Sequence, residues 1–107
     1  MKAILGIAAA AALLVAGQAS AADETALAQK SGCMACHQVA IKVVGPAYKD
    51  VAKKYAGDAG AVDRLTKHVI AGSKDVWGPV PMPPKGGNAS VKDGDIKKIV
   101  AWVLTLK

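Results

Sequence analysis

The chain has 107 residues, 52% of them hydrophobic but none phenylalanine, and carries 14 Lys+Arg against 8 Asp+Glu, a net charge of +6. That length supports one small domain, near the size at which a side-chain core alone is marginal and a staple is expected. The lysines are scattered, with no basic run interleaved with aromatics, which argues against nucleic-acid recognition.

Met1-Lys2 gives a short positive start, followed by an apolar run from Ala3 to Gly17 and the small residues Ala19-Ser20-Ala21-Ala22. This is the pattern of a signal peptide, residues 1–22, cleaved after Ala22. The run falls short of the roughly 20 apolar residues that span a bilayer. No cysteine follows for a lipid anchor, and no Arg-Arg pair diverts export from the general secretory route. The domain is then 23–107, without a membrane anchor. Loss of Lys2 lowers its charge by one, to +5, a surplus suited to steering toward acidic partners.

Asp23-Glu24-Thr25 opens a first short helix, its carboxylates at the positive end of the helix dipole. Next comes Cys33-Met34-Ala35-Cys36-His37, which has the C-x-x-C-H spacing of a covalent haem attachment site. Two thiols three residues apart reach two vinyl groups of one porphyrin from a helical turn, and His37 then points its imidazole at the iron. A disulfide and a thioredoxin-like dithiol are the competing readings, but the latter expects a preceding strand in a βαβ setting, and the flanks show none. Zinc gains little from adjacent Cys36 and His37, which cannot easily both face one tetrahedral ion. A buried porphyrin also supplies the apolar centre that so small a domain lacks.

Gln38 to Val44 reads as a loop and Gly45-Pro46 as a bend, with Pro46 beginning a second helix, Ala47 to Tyr55. A third helix, Ala61 to Ala71, places Val62, Leu65 and Val69 on one face and stops at Gly72. From Gly72 to Ala89, eight glycines and prolines exclude a helix. A loop this long in a small domain is functional or disordered, and Trp77, Val80 and Met82 within it argue for function. Ser90-Val91-Lys92-Asp93 reads as a capping box for a last helix, whose stripe is Ile96, Ile99, Val100, Val103 and Leu106 with Trp102 beside it. The fold class is all-α.

The second axial ligand must come from far along the chain. Met34 lies inside the attachment turn, which leaves Met82, in the rigid Pro81-Met82-Pro83-Pro84 segment, and His68 on the third helix. Met82 is the better candidate, and a methionine ligand raises the reduction potential. His37 needs an acceptor for its other N–H, for which the Pro46 carbonyl is well placed. Trp77 offers one N–H to a haem propionate, and Asn88 a hydrogen bond to the Met82 sulfur.

These segments, with Val44-Gly45-Pro46-Ala47-Tyr48-Lys49-Asp50-Val51-Ala52, Val76-Trp77-Gly78-Pro79-Val80-Pro81-Met82-Pro83-Pro84 and Trp102-Val103-Leu104, resemble a small bacterial class I cytochrome c of the c-551/c-552 type. The resemblance covers essentially all of 23–107. It departs at His68, where the family often has arginine or lysine, and at Lys85-Gly86-Gly87-Asn88-Ala89, which is longer than in many relatives. It implies four or five short helices around one covalently bound haem c, the first and last packed together. It also implies a monomeric periplasmic electron carrier, not an enzyme, with Cys33, Cys36, Pro46 and Trp77 holding the haem and His37 and Met82 its iron. Implied partners are redox proteins: a nitrite reductase, a terminal oxidase, a peroxidase or a quinol-oxidising complex. The expected docking face is Met34, Ala35, Pro79, Val80 and Pro81, ringed by Lys30, Lys42 and Lys85.

Overall fold

The computed structural model describes residues 22–107; the expected signal peptide therefore lies outside them except for Ala22. The described residues form four α-helices and no strand: α1 (Thr25–Lys30), α2 (Tyr48–Lys54), α3 (Ala61–Ala71) and α4 (Asp93–Val103). Two single 3-10 turns, Cys33–Ala35 and Pro84–Gly87, punctuate the connections.

The last helix is the hub, touching α1, α2 and α3. Ile96, Ile99, Val100 and Val103 of its expected stripe are buried, whereas Leu106 falls beyond the helix end and packs half-buried against the core. Trp102 is buried too, closing a core with Ala28, Tyr48, Ile99 and Val103 rather than standing beside it. Ala28 is fully buried, so a methyl group at this crossing lets α1 approach α4. The first and last helices are packed together, as expected.

Helix ends show where local signals lost to competing bonds. No side chain caps α4, whose N-cap is Lys92. The Ser90 hydroxyl instead donates to Asn88 Oδ1 at 2.6 Å, so the expected capping box does not form. The helix start relies on Asp93 and Asp95 in its first turn, which complement the dipole. Pro46 likewise stands before the Ala47 N-cap rather than in the first helical position. The first N–H groups of α2 are satisfied from outside: Tyr48 N–H donates to Gln38 C=O and Lys49 N–H to Val39 C=O, both at 2.9 Å. These bonds tie the exit of the cysteine turn to α2.

Only α3 matches its expected span at both ends. The segment from Gly72 to Ala89, expected to exclude any helix, contains the 3-10 turn Pro84–Gly87, in which Lys85 and Gly86 take left-handed backbone angles.

Candidate functional site

Gly32, at φ 86°, turns the chain into the 3-10 turn Cys33–Ala35, a conformation that costs glycine little. The His37 N–H donates to Cys33 C=O at 3.1 Å and the Gly45 N–H to Cys36 C=O at 2.8 Å. The motif is thus closed on itself and then tied to the bend that follows.

The His37 ring is fixed on several sides. Nδ1–H donates to the Pro46 carbonyl at 2.9 Å; a carbonyl only accepts, so Nδ1 carries the proton and Nε2 is left with its lone pair. Tyr48 stacks on the ring, with centroids 5.1 Å apart and planes 19° apart. Trp102 braces Tyr48 edge-on at 5.8 Å and 80°, a geometry that stabilises aromatic pairs by about 0.5–1.5 kcal/mol. Gly45 closes the remaining side. A Cβ there would sit 2.8 Å from Nδ1 and 2.9 Å from Nε2, distances that real Cβ atoms do not tolerate. Sequence reasoning saw Gly45 only as half of a bend.

The Cys33 side chain is half-buried and that of Cys36 exposed, and the two are not joined in a disulfide. Burial pushes the Cys33 thiol above its ordinary value, partly offset by the neighbouring Tyr48 hydroxyl. Burial likewise raises the Tyr48 hydroxyl, so Tyr48 stays neutral across the physiological range.

These residues open onto a cleft enclosing about 1370 Å³ of empty space, part of it continuous with solvent. Cys33, Cys36 and His37 line one part; α3 contributes Leu65, His68 and Val69; the long loop contributes Val76, Trp77 and Met82; and α4 contributes Ile96, Ile99, Val100 and Val103. A planar porphyrin suits this lining: aliphatic walls, two thiols, an imidazole with a free Nε2 and a thioether, with Asp75 as its one carboxylate. Among the described residues, no group of three or more His, Cys, Asp or Glu side chains could hold a bare metal ion.

The structure brings the remaining candidates together unevenly. His37, Cys33, Cys36, Pro46, Trp77 and Met82 all line the cleft, as does His68. The Trp77 ring lies under the Lys54 ammonium, 4.5 Å from its centroid, a cation–π contact that the sequence did not signal. The Asn88 side-chain N–H donates to Ser31 C=O at 3.1 Å and its Oδ1 accepts the Ser90 hydroxyl; the expected bond to the Met82 sulfur is absent among these contacts. Lys85 does not belong to an open ring of lysines: its Nζ donates to Val91 C=O at 2.8 Å and pairs with Asp93 at 3.0 Å. Met34, expected on the docking face, packs instead against the core. The exposed large apolar residues are Ile41, Val43, Val44, Trp77 and Val80, with Ile41 68% and Val80 60% accessible. The 41–44 part was missed because an apolar run with neither helical nor strand period gives no sign of which way it faces.

Cleft, cysteine turn and oriented histidine define a class: a small all-α protein that holds one covalently attached haem. Comparison with known proteins agrees. The Cytochrome c family model matches residues 16–107. Cytochrome c-551 of Allochromatium vinosum is 58% identical over 87 residues, covering 81% of this chain and 89% of the relative. Cytochrome c-552 of Nitrosomonas europaea is 52% identical over 103 residues, covering 96% and 95%. The crystal structure of the wild-type Nitrosomonas europaea cytochrome c552 superposes with a TM-score of 0.70 at 52% identity, covering 76% of this chain and 96% of that one. The chain belongs to the cytochrome c family. It is an electron carrier rather than an enzyme, and binds one haem c through Cys33 and Cys36.

Proposed function

We propose that this chain is a periplasmic one-electron carrier in which His37 and Met82 would hold the haem iron. The observation that carries the reading is the Nδ1–H bond from His37 to Pro46, which leaves the neutral Nε2 as the ligating atom. When bound, haem c would supply a ferric/ferrous couple that takes up or gives up one electron.

The chain's own residues set the conditions for that cycle. A neutral imidazole and a neutral thioether favour the ferrous state. Apolar side chains from α3 and α4 line the cleft, a low-polarity wall that disfavours the more highly charged ferric form. The Pro46 carbonyl orients His37, and Trp77, which also lines the cleft, would offer its indole N–H to a propionate. Residues 1–22 direct export and are removed, leaving 23–107 as a monomer. Its redox partners, of the nitrite reductase, oxidase, peroxidase or quinol-oxidising kind, meet the exposed apolar surface of Ile41, Val43, Val44 and Val80.

Met82→Ala tests the ligand. The variant should keep its covalent haem, lose potential and bind carbon monoxide and cyanide readily; a spectrum and potential unchanged from wild type would leave another residue on the iron. Intact mass of exported protein decides the leader, since a product retaining Met1 would contradict cleavage. For the docking face, Val80→Glu should slow reduction of a physiological partner at all salt concentrations.

A further inference from the structure

Resting on Met82 as the second axial ligand, we propose that Gly72 and Ser73, at the exit of α3, are positioning residues that hold Met82 to the iron through the backbone alone. The Ser73 N–H donates to Met82 C=O at 3.0 Å and the Met82 N–H donates to Ser73 C=O at 2.9 Å. This two-bond exchange, an isolated antiparallel bridge, fixes both position and direction of the paired residues.

The composition of the loop gives the bridge its weight. In Pro81-Met82-Pro83-Pro84 only Met82 has a backbone N–H, and Ser73 accepts it. The prolines fix φ on both sides, so anchoring that single donor orients the whole tetrapeptide. The Met82 side chain is unbranched and flexible, and the Asn88 amide expected to bond its sulfur goes to Ser31. Placement of the sulfur therefore begins at the backbone.

Gly72 makes the bridge possible. Its φ of 84° and ψ of 162° fall in a region essentially closed to residues with a side chain. A Cβ at Gly72 would also lie 3.0 Å from the Met82 carbonyl oxygen and 3.1 Å from both Cδ and N of Pro84. The bare Cα is what lets the end of α3 come against the methionine loop. Because α3 also packs on α4 and on the Pro84–Gly87 turn, Gly72 links helix placement to ligand placement.

The test compares three variants of the full holoprotein by cyanide titration of the ferric form, reduction potential and covalent haem content. Gly72→Ala should retain its haem but bind cyanide at least about tenfold more tightly, a ratio equivalent to about 1.4 kcal/mol, with a lowered potential. Gly57→Ala also places a side chain at positive φ, 78°, but in open space, and should titrate like wild type. So should Ser73→Ala, because the bridge uses only backbone atoms. A Gly72→Ala titration that matches Gly57→Ala overturns the proposal. If Gly72→Ala does not accumulate, amide exchange of the wild type decides: the Met82 N–H must be protected comparably to α3 amides, and exchange at the unstructured rate overturns the bridge. Met82→Ala separates the two levels. If it leaves the iron closed, ligand reading and proposal fall together; if it opens the iron while Gly72→Ala does not loosen it, only the positioning role falls.

Discussion

The two sides of the cleft solve one problem in opposite ways. On the histidine side the side chain itself is caged: the Pro46 carbonyl bonds Nδ1, Tyr48 covers one face, and Gly45 leaves no room for motion past the ring edge. On the methionine side the backbone is clamped to Ser73, and a Cβ built at the neighbouring Gly86 would meet the Met82 methyl only at an ordinary 3.9 Å. The difference follows from the ligands. An imidazole must present one nitrogen at one angle, and a rigid ring transmits every push from its neighbours. A thioether has flexible torsions and a sulfur that accepts a range of approaches, so it needs an anchored base more than a cage.

The largest expected effect comes from removing the foundation of the cage. Trp102 is buried and braces Tyr48, so Trp102→Ala should destabilise the fold by about 3–5 kcal/mol, read as a lowered denaturant midpoint. It should also perturb the His37 environment before the Met82 amide loses protection. A variant that frees both sides together would show that the two are one cooperative unit.

A paired glycine experiment sharpens the contrast at intermediate size. Gly45→Ala should cost about 1–3 kcal/mol through overpacking against the imidazole and alter the ferric spectrum. Gly86→Ala, whose Cβ meets Met82 only at ordinary contact distance, should cost about 1–2 kcal/mol through its left-handed backbone with the spectrum nearly unchanged. Equal spectral shifts from both would erase the distinction between cage and clamp.

The smallest effect concerns the approach to α3, which feeds the methionine side. The side-chain hydrogen bond from Arg64 holds the Asp58 carboxyl below its ordinary value of 3.8, and Asp58 Oδ1 accepts the Gly60 N–H at 3.0 Å. A depressed carboxyl stabilises the folded state above its ordinary pKa, and that contribution is lost as pH falls through the folded value. Wild type should therefore be slightly more stable than Asp58→Asn at pH 7, the gap closing below about pH 3.8. Such a solvent-facing pair contributes little, and ligand spectra should not follow it. A pH-dependent iron environment that tracks this pair would join α3's start to its end at Gly72.

How much of this was legible beforehand depended on range. The attachment motif, the all-α class and the span of α3 follow from spacing and periodicity within a few residues. Met82 stood out because three prolines around it are visible without a fold. The helix ends were less secure, since Ser90 had two possible partners and the nearer, Asn88 Oδ1, took its hydroxyl. Lys85 and Met34 were placed by sequence proximity to the cleft, yet one is tied to Val91 and Asp93 and the other is drawn into the core.

By itself the sequence determined the chemistry: two thiols, an adjacent imidazole and a proline-bound thioether can be read from covalent order. Only the tertiary structure decided how those groups are held. Gly45 against His37, Tyr48 between His37 and Trp102, and Gly72-Ser73 against Met82 are contacts between segments that the chain brings together only when α4 packs on the other three helices. A glycine looks the same in a sequence whether it turns the chain or makes room for another residue, because the neighbour that would collide with its missing Cβ is known only once the fold has formed.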